Sequence, residues 1–307
     1  MNVKPLFAYV GGKTFLKNKL VEKIEIILNK SKIEVYEEWF AGGLGSFFAV
    51  CKTLKDHHIK TVFLNDINEK LISLYSNIYS GNGDKIIKEY MILENKFHSK
   101  IPLLTYNRHI TKDKELLKFE LLEARDYYKN VVDNFNKSED SFEQSVYLIF
   151  IQNHCFNGIY RENQKGEYNT PFNWEARKVT EELISKKISD IENCFKNSNI
   201  TFTSLDFEEM KININSLIYL DPPYLNEASG ENKYNKNSFN LNKQINLINK
   251  IKDHDFIYSN HLDKRIIEEF KPEENYSFDY INRKNTISSS AESRKNDKVE
   301  LLINKKY

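Results

Sequence analysis

The 307-residue chain has only three cysteines, and their spacing does not resemble that of metal ligands. Cys51, Cys155 and Cys194 stand far apart, and no Cys-x-x-Cys pair or suitably spaced histidine accompanies them. The seven histidines are scattered as well. This distribution argues against a structural zinc site and against a disulfide framework. We therefore expect no metal in this protein.

Long apolar runs are also missing. No apolar stretch in the sequence reaches the roughly 18 residues that are needed to span a bilayer. The first residues, 1–5, are not followed by the apolar core of a signal peptide. We expect a soluble cytoplasmic protein without a membrane partner.

The chain has no excess of charge of either sign. Its 45 basic residues balance 44 acidic ones, which leaves a formal net charge of +1. Composition thus gives no indication of a nucleic-acid partner, and a DNA-binding surface would need basic residues gathered on one face. The 40% of hydrophobic residues suffice for a packed core, and the length predicts two domains or one domain with a large insertion.

The sequence does contain an apolar run that ends in a carboxylate and two prolines. Residues 217–220 predict a buried strand, and Asp221-Pro222-Pro223-Tyr224 follow directly. Since proline cannot continue a strand ladder, the chain must leave the sheet after Asp221. The carboxylate and a turn carbonyl can accept hydrogen bonds from an aromatic amine such as that of adenine, and Tyr224 offers a ring for stacking. The alternative is a proline-rich turn with an incidental aspartate.

Two glycine turns precede predicted helices. The first, Gly11-Gly12-Lys13, lacks the full phosphate-loop spacing. The second, residues 41–45, connects a predicted strand at 35–40 to a helix, which is the order found in nucleotide-binding folds. Asp66 ends the next strand, about 20 residues further on, where a carboxylate suits the hydroxyls of a ribose. Capping of the helix that begins near Glu69 is the alternative role for Asp66.

Helical periodicity interrupts the strand–helix alternation from about residue 71 to residue 155, which predicts an inserted helical domain. The block leads into segment 156–172, where two short extended pieces flank the hairpin turn Gln164-Lys165-Gly166. A two-stranded ribbon can enter the major groove of DNA, where arginine can read guanine. An ordinary polar surface hairpin is the alternative.

Strands and helices alternate again after a helix predicted at 179–195. Further strands are predicted at 201–203, 217–220, 256–259, 276–281 and 299–303, and helices near 241–251 and 265–270. With the two earlier strands, the total is seven. The last two follow each other without a helix, which predicts an antiparallel closing pair on an otherwise parallel doubly wound sheet.

Together these motifs resemble the Dam-type DNA adenine methyltransferases, which methylate the exocyclic amine of adenine. The matching pieces follow the family's order along nearly the whole chain: residues 9–13, 40–47, 65–66, 156–172, 205–207, 221–224, 286–289 and 299–303. The resemblance implies an α/β fold with a Rossmann-like, mostly parallel seven-stranded core. It implies a catalytic domain at 1–69 and 177–307 and an inserted helical target-recognition domain at 70–176 that carries the hairpin.

The resemblance also implies chemistry and partners. S-adenosylmethionine is the implied methyl donor, double-stranded DNA the implied substrate, and a separate restriction endonuclease a candidate partner. The implied catalytic residues are Asp221, Pro222 and Tyr224. The implied cofactor-binding residues are Tyr9, Lys13, Phe40, Gly42, Ser46, Asp66, Asp206, Phe207 and Asp221. The implied DNA-binding residues are Phe156, Asn157, Ile159, Arg161, Pro171 and Arg177.

One departure from the family pattern concerns the target sequence. Members that read GATC usually have Gly-Arg after the Pro-Phe of the hairpin, whereas here Asn173-Trp174 follow and the next arginine is Arg177. Two alternatives to a DNA methyltransferase remain: an RNA or protein methyltransferase on the same core, and a non-catalytic DNA-binding protein that kept the fold. Intact Asp221, Tyr224 and Asp66 favour catalysis.

Overall fold

The computed structural model describes residues 3–7, 9, 14–102, 118–174, 178–225, 239–270, 275–283 and 298–307. The chain divides into two compact units. The first comprises Met1–Thr14, Gly42–Lys52 and Asn68–Lys196, and the second comprises Phe15–Ala41, Thr53–Ile67 and Asn197–Tyr307. The division into a catalytic and a target-recognition domain is a functional assignment and stays a prediction.

A seven-stranded sheet forms the frame of the second unit. Its strands are β1 (Val35–Glu38), β2 (Thr61–Asn65), β3 (Asn199–Thr203), β4 (Ser216–Leu220), β5 (Asp255–His261), β6 (Tyr276–Arg283) and β7 (Lys298–Lys305). Their order is β3-β2-β1-β4-β5-β7-β6. Neighbours among β1 to β5 are parallel, and β7 runs antiparallel to β5 and β6. The predicted mostly parallel sheet and its antiparallel closing pair are therefore confirmed.

The strand order reverses between β1 and β4. From β1 the sheet grows outward to β2 and β3, and β4 then starts the other half. Glu38 lies opposite Tyr219 in the parallel pairing, so the residues after β1 and after β4 leave the same edge of the sheet as neighbours. At such a switch point an open α/β sheet has the crevice in which ligands bind.

Strand β4 is buried at all five positions. A continuous apolar strand of this kind is typical of the centre of a parallel sheet that is covered on both faces. Ile218 and Leu220 belong to a core cluster with three residues of one helix, Leu247, Ile248 and Ile251. Burial of each such side chain stabilises the fold by about 1.5–3 kcal/mol.

The main α-helices match the predicted periodicities. They are α1 (Lys17–Lys30), α2 (Gly45–Asp56), α3 (Glu69–Asn77), α4 (Gly83–His98), α5 (Leu122–Lys137), α6 (Ser141–His154), α7 (Glu181–Phe195), α8 (Leu241–Ile251) and α9 (Lys264–Glu269). Helix α8 has the predicted bounds, because Asn240 caps it by accepting a hydrogen bond from the backbone N of Lys243. Within the described ranges, no helix has both the length and the apolar character needed to cross a membrane.

Several predicted bounds differ from the structure by one or two residues, and two of these differences have a visible local cause. Strand β1 ends at Glu38 rather than at Phe40, because the backbone bends at Trp39 and Phe40. Helix α7 begins at Glu181 rather than at Val179, because Thr180 is its N-cap and accepts a hydrogen bond from the backbone N of Leu183. Val179 consequently stays outside the helix.

The sequence argued against a disulfide framework, but the structure pairs two of the three cysteines. Cys51 on α2 and Cys194 on α7 form a disulfide, with 6.1 Å between their Cα atoms and 143 positions between them in the sequence. The pairing follows from the packing of these two helices, which cysteine spacing alone does not reveal. Cys155 remains a free, buried thiol, and burial raises its pKa.

Candidate functional site

Asp221 leaves the sheet at the end of β4, as predicted, and a neighbouring strand orients its carboxylate. Ser259 on β5 donates a hydrogen bond of 3.1 Å from its Oγ to Oδ1 of Asp221. The hydroxyl of Tyr219, on β4, in turn lies 3.5 Å from Ser259 Oγ. Burial first, and then the charge of Asp221, raises the pKa of Tyr219 well above its usual value, so its hydroxyl remains a donor. A half-buried carboxylate therefore sits at the switch edge in a fixed orientation.

The turn after Asp221 is held by a buried amide. Pro222 is buried and Pro223 is exposed, and Gln244 of α8 donates from Nε2 to the carbonyl oxygen of Pro223 at 2.9 Å. Gln244 is itself fully buried and accepts a hydrogen bond from Tyr258 through Oε1. The backbone of the motif is thereby fixed to the core rather than to solvent.

The ring of Tyr224 lies against an imidazole and its hydroxyl binds a buried acid. The ring centroids of Tyr224 and His261 are 3.8 Å apart. Tyr224 Oη lies 3.1 and 3.4 Å from the two carboxylate oxygens of Glu300, which is fully buried on β7. Nδ1 of His261 lies 3.6 Å from the same carboxylate. These contacts set the plane of the tyrosine ring beside Asp221.

Sequence reasoning assigned no role to Ser259 or Glu300. Both lie in predicted strands and both are buried polar residues, and Glu300 stands between Val299 and Leu301. A charged residue within an apolar strand is a signal in itself, because a buried carboxylate needs hydrogen-bond partners. The identity of those partners could not be read from the sequence, since they lie 38 and 76 positions away.

The carboxyl ends of β1, β2 and β3 are joined through the buried amide of Asn65. Its Nδ2 donates to the carbonyl oxygens of Trp39 and Leu205, each at 3.0 Å. Its Oδ1 accepts from Thr203 Oγ1 at 2.8 Å and from the backbone N of Leu205 at 2.9 Å. Asn65 thus fixes the backbone beside three predicted cofactor residues, namely Phe40, Asp66 and Asp206.

Asp66 is half-buried after β2, and its backbone N donates to the carbonyl oxygen of Thr203 at 3.2 Å. Capping of α3, the alternative role for Asp66, is wrong: the N-cap is Asn68, whose side chain accepts a hydrogen bond from the backbone N of Leu71. The ribose role of Asp66 stays a prediction.

Three aromatic rings lie together at the same edge of the sheet. Phe40 and Phe207 have centroids 6.1 Å apart, and Phe239 lies 5.6 Å from Phe40 and 5.4 Å from Phe207. Next to Phe207, Asp206 accepts from the backbone N of Glu208 and lies 3.4 Å from Lys243 Nζ. The structure thus brings three predicted cofactor-binding residues, Phe40, Asp206 and Phe207, together within the second unit.

In the first unit, Tyr9 lies against the glycine turn. A Cβ on Gly42 would be 3.1 Å from a ring carbon of Tyr9, and a Cβ on Gly43 would be 3.0 Å from Tyr9 Cβ. Gly42 also has a positive φ of 49°, which favours glycine. Tyr75 donates from its hydroxyl to the carbonyl of Gly43 at 2.9 Å. Ser46 is buried in the first turn of α2.

The predicted hairpin is present, also in the first unit. Isolated antiparallel bridges join Cys155 to Phe172 and Glu162 to Tyr168. The turn closes with Asn163 N donating to Glu167 O at 2.8 Å, and Gly166 adopts a φ of 77°. The predicted turn at residues 164–166 is therefore confirmed.

The predicted DNA-contacting residues occupy both arms of this hairpin. Phe156 and Asn157 are exposed, and Asn157 has a positive φ of 56°. The carbonyl of Ile159 accepts from Thr170 Oγ1 at 2.7 Å, and the carbonyl of exposed Pro171 accepts from the backbone N of Phe156 at 2.9 Å. Their contact with DNA stays a prediction.

Arg161 spans the hairpin towards the opposite arm. Its Nε donates to Oδ1 of Asn169 at 2.8 Å, and one terminal nitrogen donates to the carbonyl of Asn169 at 3.0 Å. These two bonds use one edge of the guanidinium, which has five N–H donors in all. The opposite edge keeps its planar fork for a further acceptor.

Several predicted features lie outside the described residues: the turn Gly11-Gly12-Lys13, Arg177, the piece at 286–289, and most of segment 226–239, whose Asn, Lys, Ser and Gly residues predict a mobile loop. Among the described residues, no group of three or more His, Cys, Asp or Glu side chains is arranged to hold a metal ion. The remaining predicted residues divide between the units: Tyr9, Gly42, Ser46 and the hairpin belong to the first, and the rest belong to the second.

Comparison with known proteins identifies similar chains. The model of a family described as D12 class N6 adenine-specific DNA methyltransferase matches residues 9–295. The type II methyltransferase M.MjaIII of Methanocaldococcus jannaschii is 30% identical over 253 residues, which are 80% of this chain and 78% of that protein. The DNA adenine methylase of Salmonella typhi is 27% identical over 188 residues, which are 60% of this chain and 57% of that protein.

A third relative extends the similarity to another genus. The type II methyltransferase M1.LlaDCHI of Lactococcus lactis subsp. cremoris is 24% identical over 252 residues, or 80% of this chain and 75% of that protein. The family match covers most of the chain, including the glycine turn, the hairpin and the Asp-Pro-Pro-Tyr motif. This chain therefore belongs to the D12 class of N6 adenine-specific DNA methyltransferases.

Proposed function

We propose that this chain transfers a methyl group from S-adenosylmethionine to the exocyclic amine of adenine at a defined sequence in double-stranded DNA. The observation that carries the proposal is the geometry of Asp221 and Tyr224 at the switch edge of the sheet. The carboxylate is oriented by Ser259, and the tyrosine ring is held by His261 and Glu300. An acceptor and a flat ring within one short turn suit a planar base that carries an amine.

The residues at the carboxyl ends of β1 to β3 fit the proposed cofactor. Asp66 offers a carboxylate to two ribose hydroxyls, and the Phe40–Phe207 pair offers apolar ring surface to an adenine. In the first unit, Gly42 and Gly43 lie against Tyr9, and a Cβ at either position would crowd the tyrosine. S-adenosylmethionine, when bound, supplies an electrophilic methyl group on a sulfonium. No described residue is assigned to a metal.

Asp221 has a defined role towards the amine. Its carboxylate and the carbonyl of Pro222 would accept hydrogen bonds from the two N–H groups of the amine. We choose the carbonyl of Pro222 rather than that of Pro223, because Pro223 O already accepts a hydrogen bond from Gln244. These hydrogen bonds draw electron density towards the nitrogen and fix its lone pair in the direction of attack. Positioning of this kind contributes much of the rate enhancement in group transfer.

The target adenine must leave the double helix to reach this edge. Base flipping costs a few kcal/mol and is offset by contacts in the pocket. Stacking on Tyr224 contributes roughly 1–3 kcal/mol. Because Glu300 and His261 already hold the ring, little side-chain freedom is lost when the base arrives.

In this proposal, the hairpin recognises the DNA target sequence. Arg161 is preorganised by Asn169, so its outer edge can meet the two acceptors of a guanine. Phe156, Asn157, Ile159, Pro171 and Arg177 are the further proposed DNA contacts. Since Asn173-Trp174 replace the Gly-Arg of GATC readers, we propose a target that differs from GATC or is longer.

Two further parts of the proposal concern context. Relatives are named type II methyltransferases, so a separate restriction endonuclease of the same specificity is the proposed partner in the cell. We place the reaction in the cytoplasm, where bacterial and archaeal cells keep their DNA.

The deciding experiment is transfer of labelled methyl from S-adenosylmethionine to double-stranded DNA by the purified chain. We expect label on the adenine amine, and its loss in Asp221→Ala while cofactor affinity changes little. Asp253→Ala, an exposed aspartate just before β5, is the control and should keep the wild-type rate. Label on cytosine, or only on RNA or protein, would overturn the proposal.

A further inference from the structure

Glu94 is a buried acid that the proposed chemistry does not use. It lies on α4 with 1% of its surface exposed. Its carboxylate meets Tyr90 Oη at 2.9 Å, His98 Nε2 at 2.7 Å, His154 Nε2 at 2.8 Å and the backbone N of Val179 at 3.0 Å. Burial acts to raise the pKa of Glu94, but the hydrogen bonds from His154 and His98 outweigh it and lower the pKa to about 2. Glu94 is therefore ionised at neutral pH and accepts from all four groups.

Two of these four donors stand at the two ends of the segment that carries the hairpin. His154 is the last residue of α6, and the hairpin segment begins at the next residue. Nε2 of His154 lies 2.8 Å from Oε2 of Glu94. Val179 follows the segment 155–178 and binds Oε1. One carboxylate thus ties the entry and the exit of the hairpin segment to the same helix.

The base of the hairpin is attached to His154 through the backbone. Asn173 N donates to the carbonyl of His154 at 2.9 Å, and the bridge between Cys155 and Phe172 is the next rung. A displacement of His154 must therefore displace both arms of the hairpin at their base.

Aromatic packing prevents the imidazole from turning away. The ring of His154 lies 4.2 Å from that of Phe97 and 4.7 Å from that of Phe150, measured between centroids. Phe172, on the second arm of the hairpin, also packs on Phe97 at 6.1 Å. The carboxylate of Glu94 and the rings of Phe97 and Phe150 hold the imidazole in one orientation. This orientation fixes the direction in which the hairpin leaves α6.

We propose that Glu94 is a positioning residue for sequence recognition, because it anchors both ends of the hairpin segment. The proposal rests on the proposed function of the hairpin. Arg161 lies at the far end of this anchored ribbon, and a bidentate contact between arginine and a base edge tolerates little displacement. Loss of the anchor should therefore weaken discrimination between target sequences, while cofactor binding in the same protein persists.

The test uses a matched pair of histidines. Both His98 and His154 donate to Glu94, but only His154 is joined to the hairpin. We expect His154→Gln to reduce the ratio of methylation rates on preferred and single-base-variant DNA at least fivefold, and His98→Gln to leave it within twofold. The preferred site is found first by sequencing methylated bases in DNA treated with wild-type enzyme. Equal loss of discrimination in the two variants would show a general structural role and overturn the proposal.

Glu94→Gln supplies the isosteric variant of the anchor. Its amide has one acceptor oxygen where the carboxylate has two, so one end of the segment loses its partner. We expect a fivefold or larger fall in discrimination, carried mainly by KM for DNA, with the dissociation constant for S-adenosylmethionine within twofold. Glu89→Gln, a half-buried residue on the same helix, is the charge-matched control. Unchanged discrimination in folded Glu94→Gln would overturn the proposal.

Hydrogen exchange separates this proposal from the proposed function. Amide exchange at Phe156 and Asn173, at the base of the hairpin, should rise at least tenfold in Glu94→Gln and stay unchanged in Glu89→Gln. Absence of methyl transfer by the wild type would refute the proposed function, whereas unchanged exchange at these amides would refute the anchor.

Discussion

Ser259 on β5 and Asp221, directly after the adjacent strand β4, are joined by a hydrogen bond of 3.1 Å between Oγ and Oδ1. Ser259 is fully buried, whereas Asp221 is half-buried at the edge. The carboxylate that we propose to be catalytic is therefore oriented from inside the core. Under the proposed function, Ser259 would influence the reaction by orienting Asp221.

We expect Ser259→Ala to lower the rate constant of methyl transfer. A hydrogen bond to a charged group contributes about 1.5–3 kcal/mol, and about 1.4 kcal/mol corresponds to a tenfold change in rate. A fall of about tenfold or more is thus predicted in single-turnover assays, with little change in cofactor affinity. Ser277→Ala, on edge strand β6, is the control. A wild-type rate for Ser259→Ala would show that the turn alone orients Asp221.

Asp66→Ala should weaken S-adenosylmethionine binding at least tenfold. Charge-assisted hydrogen bonds to ribose hydroxyls contribute about 1.5–3 kcal/mol. Asn68→Ala is the informative control, because Asn68 is the cap of α3. Its loss should cost about 1 kcal/mol of stability and leave cofactor affinity unchanged. Calorimetric titration distinguishes the two, and unchanged affinity of Asp66→Ala would remove it from the cofactor site.

Gly43→Ala should weaken cofactor binding by displacing Tyr9. The new Cβ would lie 3.0 Å from Tyr9 Cβ, so the tyrosine must move. At Gly45, in contrast, a Cβ would lie 3.9 Å from Pro5, which is ordinary contact. We expect a fivefold or larger rise in the dissociation constant for Gly43→Ala and a change within twofold for Gly45→Ala. Equal affinities in both variants would show that Tyr9 is not part of the cofactor site.

Arg161→Ala should affect the preferred site more than its variants. A bidentate contact with guanine gives roughly 1–3 kcal/mol of discrimination, whereas a phosphate contact would weaken binding to all sequences about equally. Methylation rates on a panel of single-base variants separate these roles. Asn169→Ala, which removes the side-chain partner of Arg161 Nε, should give a smaller change of the same kind. A uniform fall across the panel would assign Arg161 to the DNA backbone.

Glu94 should make stability depend on pH in the acid range. Its folded pKa of about 2 lies below its ordinary value of 4.5, so its contribution is present above that ordinary value and is lost as the pH falls towards the folded one. Between pH of about 5 and about 3 the loss is about 2 kcal/mol. Denaturant unfolding should therefore show that the difference in the free energy of unfolding between wild type and Glu94→Gln becomes smaller as the pH falls over this range. A difference that does not change with pH would mean that the fold does not lower the pKa of Glu94.

Local sequence patterns predicted much of the fold, because buried positions are apolar at regular spacing and capping positions carry particular residue types. Helix α8 shows this, since its buried residues recur at helical spacing and Asn240 caps it. Strand β4 was equally clear from its unbroken apolar run. The bounds of β1 and α7 were less clear, because the bend at Trp39 and the cap at Thr180 depend on hydrogen bonds that the pattern does not show.

The candidate site was predictable only in part, for a related reason. The positions of Asp221 and Asp66 at the edge of the sheet could be predicted because each follows an apolar strand directly. Ser259 and Glu300 were missed because their roles come from partners on other strands, and strand order is a property of the whole sheet. The disulfide between Cys51 and Cys194 was missed in the same way.

The contact between Tyr224 and Glu300 also orders events during synthesis. Glu300 follows Tyr224 by 76 positions and lies on β7, which pairs with β5 in the finished sheet. A nascent chain that has emerged from the ribosome as far as β5 already contains Asp221 and its partner Ser259, but its Tyr224 still lacks the carboxylate. Under the proposed function, we therefore expect a growing polypeptide to modify DNA at full rate only after Glu300 has emerged from the ribosome and β7 has paired with β5.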